Sequence, residues 1–220
     1  MTGPETNGPV SLGAFPLRRM RRLRRTPALR RMTAETRLEP SDLSEGALTI
    51  QGAHDDVAAR DLCANLAKAT ILIGIYFDAG PSPQNAGSVT GYDAARSFSP
   101  ANIRFADVVQ SDVLAALNAH GWAIPNAGVV SDVSLGGPAM TAAAADYGHL
   151  LLLGPAMAGY FSTPSQMPGA LIEPLFITDP FEATVAASVT GQQAIATGLA
   201  HAVQQYFAPA PAAAGPPITP

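Results

Sequence analysis

An apolar run that contains a single glutamate constrains the fold of this chain more than any other feature. Residues 170–177 read Ala-Leu-Ile-Glu-Pro-Leu-Phe-Ile, with Glu173 in the middle. Burying a carboxylate costs several kcal/mol unless it is paired, hydrogen-bonded or protonated. A second short apolar run, at residues 70–77, is typical of a central strand covered on both faces. The sequence therefore predicts a buried sheet in which Glu173 has a chemical or a structural use.

Strand-like and helical patterns alternate between residues 46 and 207. Beside the two runs, the patterns predict strands at residues 47–50 and 149–153 and helices at 55–68, 104–119 and 190–206. The last helix begins with a capping box, Thr190-Gly191-Gln192-Gln193. This alternation predicts one α/β domain with a single twisted, mostly parallel or mixed sheet flanked by helices.

Charge is distributed unevenly along the chain. Residues 1–43 carry nine arginines and four acidic residues, whereas residues 44–220 carry four basic and thirteen acidic residues. The arginines are compatible with an arm that binds anions, nucleic acid or a membrane surface. We favour a solvated or oligomer-contacting arm, because no aromatic residue alternates with the arginines and the acidic body would repel nucleic acid.

Composition delimits the domain and excludes several classes of protein. The patterns predict a flexible Arg-rich arm over residues 1–45, a domain over 46–207 and a flexible Pro/Ala-rich tail over 208–220. No run approaches the roughly 18 apolar residues of a transmembrane helix. The basic run at residues 18–31 is followed by polar residues, so no secretory signal is visible. One cysteine excludes an internal disulfide and a cysteine-based zinc site.

Three blocks of sequence, together with the closing helix, resemble one enzyme family. Residues 60–69 read Arg-Asp-Leu-Cys-Ala-Asn-Leu-Ala-Lys-Ala, residues 73–79 read Ile-Gly-Ile-Tyr-Phe-Asp-Ala, and residues 167–179 include the run around Glu173. In this order and spacing they resemble the zinc-dependent N-acetylmuramoyl-L-alanine amidases. Those enzymes cleave the amide bond between the sugar and the stem peptide of peptidoglycan. The resemblance covers most of residues 46–207.

The resemblance implies a catalytic site as well as a fold. The family binds zinc through two histidines and a glutamate, with water in the fourth position, and uses a separate late glutamate as general base and acid. Glu173 stands at that acid/base position. Tyr76 stands where the family has a ligand histidine, and a neutral phenol is a poorer zinc ligand than imidazole. The other ligands and the family's first strand have no counterpart upstream of Ala47, so the resemblance implies a missing first strand and an incomplete zinc site.

Few residues could rebuild a metal site. His54 lies in a turn after the first predicted strand and Asp78 lies at the end of the next one, so this pair is the candidate metal site. His120 is interpreted as a helix cap and His201 as a helix-surface residue. His149 starts a predicted strand, and sites in parallel sheets gather at the opposite, carboxyl ends of strands.

A second resemblance concerns the arm. Residues 18–43 are similar to the amino-terminal arm of porphobilinogen synthase, and the similarity stops before the catalytic barrel of that family begins. It therefore implies no synthase activity. The chain is interpreted as a synthase-like arm joined to an amidase-like domain.

Three functional hypotheses follow. The first is an amidase-like domain directed at peptidoglycan with impaired hydrolysis, in effect a pseudoenzyme. The second is a non-catalytic domain that binds peptidoglycan or regulates its turnover, and the third is a truncated fusion product without activity. The family works outside the cytoplasm, but no export signal is visible, so location stays open, as does oligomeric state.

Overall fold

A computed structural model describes residues 50–135 and 142–208 of the chain. The chain divides into two compact units, residues 1–59 and residues 60–220. The described part of the first unit belongs to helix α1, and all the described strands lie in the second unit. The helices are α1 (Ile50–Leu66), α2 (Ser99–Asn118), α3 (Ala142–Tyr147), α4 (Pro180–Ala187) and α5 (Val189–Phe207), and the strands are β1 (Leu72–Ile75), β2 (Ser88–Tyr92), β3 (Asn126–Ser131) and β4 (Gly169–Glu173).

The described strands form one mixed sheet in the order β1-β4-β2-β3. Strand β4 pairs in parallel with β1, with Ile75 opposite Ile172, and antiparallel with β2, with Gly91 opposite Leu171. Strand β3 is parallel to β2. The carboxyl ends of β1 and β4 therefore lie at one end of the sheet, the Glu173 end. The carboxyl ends of β2 and β3 lie at the other, the Asp93 end. The predicted α/β class with a mixed sheet and flanking helices is confirmed.

Helix α2 packs against the sheet on one side and against α5 on another, and these three layers share the core. Helix α2 has Pro100 in its first turn, where the missing N–H loses no helical hydrogen bond. A spacing of four residues places its buried apolar side chains on one face. The core combines these with residues of β4 and α5: Phe105, Val109, Val113, Leu117, Ala170, Ile172, Ile195, Ala202 and Tyr206.

Polar side chains are buried along β2, and one glutamine satisfies them. Thr90 Oγ1 donates to Gln110 Oε1 at 2.7 Å, and Gln110 Nε2 donates to the carbonyl of Ser88 at 2.8 Å. Buried polar groups need such partners, because an unsatisfied group costs about 1–3 kcal/mol. These bonds fix α2 across the sheet. They also explain why β2, with the sequence Ser-Val-Thr-Gly-Tyr, shows no apolar strand pattern.

One predicted strand is absent, and another exists but lies at the edge of the sheet rather than in its centre. Residues 149–153 form turns rather than a strand, because the carboxylate of Asp132 accepts the N–H of Leu150 and the carbonyl of Leu150 accepts the N–H groups of Leu153 and Gly154. The run at residues 70–77 contributes β1, which is an edge strand of the described sheet rather than a central one. Its last residue, Ile75, is 51% exposed. Strand β4 occupies the central position instead.

The helix boundaries also differ from the predicted ones. Ile50 belongs to α1, so the predicted strand at 47–50 is wrong at that residue, and residues 47–49 lie outside the described part of the chain. Ser188 caps α5 by accepting the N–H of Gly191, so the predicted cap at Thr190 is wrong. Helix α4 was not predicted; Asp179 caps it by accepting the N–H of Glu182 at 2.8 Å.

Three predictions fall outside the described residues: the arm over residues 1–45, the missing first strand and the tail beyond residue 208. The division into an arm, a domain over 46–207 and a tail stays a prediction. None of the described helices is both long enough and apolar enough to cross a membrane.

Gly198 tests the close approach of α2 and α5. A Cβ atom at this position would lie 2.6 Å from the Cα of Val113, which is backbone and cannot rotate away. Gly198→Ala is therefore expected to force the helices apart and to lower the free energy of unfolding by about 1–3 kcal/mol. Thermal or urea unfolding measures the change. Ala200→Ser serves as the control, because it adds one atom to an exposed side chain of the same helix. Equal stability of the two variants would contradict this packing.

Candidate functional site

Glu173 ends β4 beside Asp78, at the Glu173 end of the sheet. The pairing of β1 with β4 continues past Pro174: Asp78 N–H donates to the carbonyl of Leu175 at 3.2 Å, and Ile177 N–H donates to the carbonyl of Asp78 at 2.8 Å. Glu173 is half-buried, and its Oε2 atom is fully buried without a hydrogen-bond partner. The backbone thus places two carboxyl groups together at the end of neighbouring strands.

This environment changes the acidity of Glu173. Burial raises its pKa from 4.5 to about 7, and the nearby charge of Asp78 and a side-chain hydrogen bond with it act in the same direction. A carboxyl group with a pKa near neutrality can both donate and accept a proton under physiological conditions. This acidity is the one that a general acid and base needs, and a catalytic role of Glu173 stays a prediction.

Tyr76 reaches the same end of the sheet from β1. Its N–H donates to the carbonyl of Ile172 at 3.0 Å, which fixes its backbone beside β4. Arg60 Nη1 donates to the Tyr76 hydroxyl at 3.4 Å, a long hydrogen bond. The position that the resemblance assigns to a ligand histidine is thus held by a phenol next to a guanidinium group.

Asn65, in the first of the resemblance blocks, organises the loop that leads into β4. Its side chain donates to the carbonyl of Pro164 at 3.0 Å and accepts the N–H of Gln166 at 2.8 Å. This double contact spans almost a hundred residues of sequence. It ties the end of α1 to the segment that delivers Glu173.

His54 and Asp78 belong to different compact units. His54 Nδ1 lies 2.9 Å from Asp55 Oδ1 within α1, and Asp78 lies in the second unit at the Glu173 end. Their pairing in a metal site stays a prediction.

The structure brings together a different group of potential metal ligands, which was not predicted. Asp93, Asp132 and His149 offer ligand atoms within 4.8 Å of one another, the sole such group of three or more within residues 50–135 and 142–208. Asp93 directly follows β2 and Asp132 directly follows β3, so this group lies at the Asp93 end. Neither strand has an apolar pattern, so no sequence signal indicates that these aspartates meet.

Two more ionisable residues lie near this group. Arg96 donates to the carbonyl groups of Leu153, Gly154 and Ser165 and holds the turn that carries His149. Asp61 is completely buried, and neither of its carboxylate oxygens has a hydrogen-bond partner. Burial raises the pKa of Asp61 to about 8, although the charge of Arg96 opposes the change.

The zinc site that the resemblance implies does not fit the residues at the Glu173 end. In the described part of the second unit, this end offers the carboxyl groups of Glu173 and Asp78 and the phenol of Tyr76. Two histidines and a glutamate would be needed, and none of these three residues is a histidine. Proton transfer by Glu173 is therefore the chemistry that the described residues themselves support.

One comparison with known proteins shows the family of this chain. A family model described as N-acetylmuramoyl-L-alanine amidase matches residues 28–205. The match begins upstream of residue 46 and overlaps the arm, and no comparison supports a resemblance to porphobilinogen synthase. No curated protein matches the chain.

Several solved amidase structures are similar to this one. The CwlD amidase of Clostridioides difficile, solved in complex with the GerS lipoprotein, has a TM-score of 0.52 and 16% identity over 81% of this chain and 80% of that one. An N-acetylmuramoyl-L-alanine amidase from Clostridium difficile 630 has a TM-score of 0.49 and 18% identity over 81% and 79%. Cwp6 from Clostridium difficile has a TM-score of 0.49 and 14% identity over 69% of this chain. The matched part is only 20% of the length of Cwp6.

The CwlD likeness supports the α/β fold, and the family model identifies the sequence. The match to the family model covers well over half of the chain. It includes all four described strands, helix α2, and helix α5 except for its last two residues. This chain belongs to the N-acetylmuramoyl-L-alanine amidase family.

Proposed function

We propose that this chain is directed at the amide bond between sugar and stem peptide in peptidoglycan, with Glu173 as its proton-transfer residue. Membership of the family supports the substrate class. The observation that carries the proposal is the half-buried Glu173 carboxyl, with a pKa of about 7, beside Asp78 at the end of β4.

The protonation of Glu173 suits both halves of amide hydrolysis. In its ionised form the carboxylate removes a proton from the attacking water as the new C–O bond forms. In its protonated form the same group gives that proton to the leaving nitrogen as the C–N bond breaks. Asp78 supports the second role, because its negative charge favours the protonated form of Glu173.

Hydrolysis by this chain is expected to be slow or absent. General acid–base catalysis alone contributes about 10²–10⁴-fold. The family's zinc, when bound, would activate the water and polarise the carbonyl, but the described residues at the Glu173 end do not form its ligand set.

A non-catalytic peptidoglycan-binding domain is the second candidate. The contact between Arg60 and Tyr76 favours this candidate. The neutral Tyr76 phenol stands at the position of the ligand histidine, and it can contact a sugar or peptide. This candidate requires binding to sacculi but assigns no proton transfer to Glu173.

Purified sacculi distinguish the two candidates. The chain is expected to bind sacculi saturably and to release stem peptide slowly or not at all. Glu173→Gln is expected to abolish any slow release while leaving binding intact. Sedimentation measures binding, and chromatography of the released peptides measures hydrolysis. Asp107→Asn, an exposed change in α2 of the same chemistry, is the control. Failure to bind sacculi would contradict both candidates, and slow release that persists in Glu173→Gln would contradict the role of Glu173.

The pH dependence of stability tests the acidity of Glu173 without a substrate. Because the folded-state pKa is raised from 4.5 to about 7, the folded chain binds more protons than the unfolded chain within this window. The contribution of Glu173 to stability is therefore fully present below the window and is lost as the pH rises through it. Glu173→Gln should remove this dependence.

The melting temperature of the wild type, relative to Glu173→Gln, is expected to fall by roughly 2–8 °C between pH 5 and pH 8. Differential scanning calorimetry of both proteins across this range gives the comparison. A constant difference between the two proteins would show that the pKa of Glu173 is not raised in the folded chain.

A further inference from the structure

Two buried aspartates and one histidine converge at the Asp93 end of the sheet. Glu173 lies at the opposite end of β4. His149 Nδ1 lies 2.9 Å from Asp93 Oδ2 and 3.3 Å from Asp132 Oδ2. The side chains of both aspartates are completely buried, whereas that of His149 keeps 22% of its surface exposed. Two carboxylate oxygens and one imidazole nitrogen thus point at one spot.

The hydrogen bonding of Asp93 leaves one of its oxygens for a further partner. Its Oδ1 atom accepts the N–H groups of Ala95 at 2.7 Å and Arg96 at 3.0 Å. Its Oδ2 atom is buried and receives no hydrogen bond of regular geometry, although it lies close to His149 Nδ1. A completely buried carboxylate normally has every oxygen satisfied. The buried Oδ2 atom, which accepts no hydrogen bond of regular geometry, points at the spot where Asp132 and His149 converge, and this indicates a cation as its partner.

We propose that Asp93, Asp132 and His149 bind a divalent transition-metal ion of the Zn²⁺ or Mn²⁺ type. Zinc bonds to carboxylate oxygen and imidazole nitrogen are about 2.0–2.2 Å long, so neighbouring ligand atoms in a tetrahedral or octahedral site lie about 3–3.5 Å apart. The two distances to His149 Nδ1 match this spacing. The mixed oxygen and nitrogen donors suit Zn²⁺ and Mn²⁺ better than Mg²⁺, which prefers oxygen alone.

The surroundings orient the ligands as in established metal sites. Leu150 N–H donates to Asp132 Oδ2 at 3.0 Å, and the backbone N–H groups of Ala95 and Arg96 hold the Asp93 carboxylate. The ring of Tyr147 packs against His149 with centroids 5.5 Å apart. Such outer contacts fix the geometry of ligand side chains. The exposed part of His149 gives an ion access from solvent.

The charges at this end also favour a cation. The completely buried side chains of Asp93 and Asp132 face the single imidazole of His149, and the guanidinium of nearby Arg96 donates to the carbonyl groups of Leu153, Gly154 and Ser165. A bound divalent ion would compensate the excess of buried carboxyl groups. It would join the ends of β2 and β3 to the turn after α3. Because it lies at the opposite end of β4 from Glu173, we assign it a structural role that does not rest on the proposed function.

Titration of the purified full-length chain with metal ions tests this site. After removal of metal by chelator, calorimetric titration with ZnCl₂ is expected to give one site per chain and to raise the melting temperature, whereas MgCl₂ binds much more weakly. Asp93→Asn, Asp132→Asn and His149→Phe are expected to weaken Zn²⁺ binding by about tenfold or more. Asn at position 93 keeps the oxygen that caps residues 95 and 96, and Phe at position 149 keeps the contact with Tyr147.

Three control variants sharpen the assignment. Asp107→Asn and His120→Phe make the same chemical changes away from the cluster, and His120→Phe preserves the stacking on Trp122. Glu173→Gln alters the opposite end of the sheet. All three are expected to bind Zn²⁺ like the wild type. Loss of binding in Glu173→Gln, or unchanged binding in the three cluster variants, would overturn the site.

A measurement on the wild type keeps the test decisive if the cluster variants fail to fold. Mn²⁺ broadens NMR signals of nearby nuclei, so sub-stoichiometric Mn²⁺ is expected to broaden the amide signals of residues 93, 132 and 149 before that of residue 173. No metal binding by the wild type, or broadening centred elsewhere, would overturn the proposal. The three residues would then form only an ion pair.

Discussion

The two-way pairing of β4 is the constraint on which the rest of the structure depends. This strand lies between β1, to which it is parallel, and β2, to which it is antiparallel. The carboxyl ends of β1 and β4 therefore lie at one end of the sheet, and the carboxyl ends of β2 and β3 lie at the other. Glu173 and Asp78 meet at one end because β1 and β4 finish there, and Asp93 and Asp132 meet at the other because β2 and β3 finish there. The separation of the two polar clusters follows from the sheet alone.

Buried carboxyl groups are stabilised in three different ways in this fold. Glu182 accepts the N–H groups of Gly87 and Phe176, each at 2.7 Å, so it joins the start of β2 to the segment after β4. Glu173 is accommodated in its neutral form, because burial and the charge of Asp78 disfavour the carboxylate and raise its pKa to about 7. Asp93 and Asp132 both face the imidazole of His149, and Oδ2 of Asp93 accepts no hydrogen bond of regular geometry. The first arrangement is structural, the second suits proton transfer and the third suits a cation.

Apart from the partly buried apolar run at residues 150–153, which forms turns because Asp132 accepts the N–H of Leu150, the parts of the fold that sequence could predict are those in which burial and apolar composition coincide. The strand that ends at Glu173 and the helix that includes Phe105 were predictable for this reason. Strand β2 was not, because Gln110 rather than apolar contact accounts for its buried Ser88 and Thr90. The metal-ligand cluster depends on two strands of this kind, so it could not be predicted. Glu173 itself could be singled out, because a charge inside an apolar run is visible in the sequence, but its partner Asp78 required the pairing of β1 with β4.

The central claim is that Glu173 carries a proton near neutral pH because of its burial beside Asp78. A ¹³C NMR titration of the glutamate side-chain carboxyl groups, with the Glu173 signal assigned by its loss in Glu173→Gln, measures this most directly. The structure predicts a midpoint at about pH 7 and a lower midpoint in Asp78→Asn. A midpoint at the ordinary value of 4.5, or one that does not move in Asp78→Asn, would contradict it.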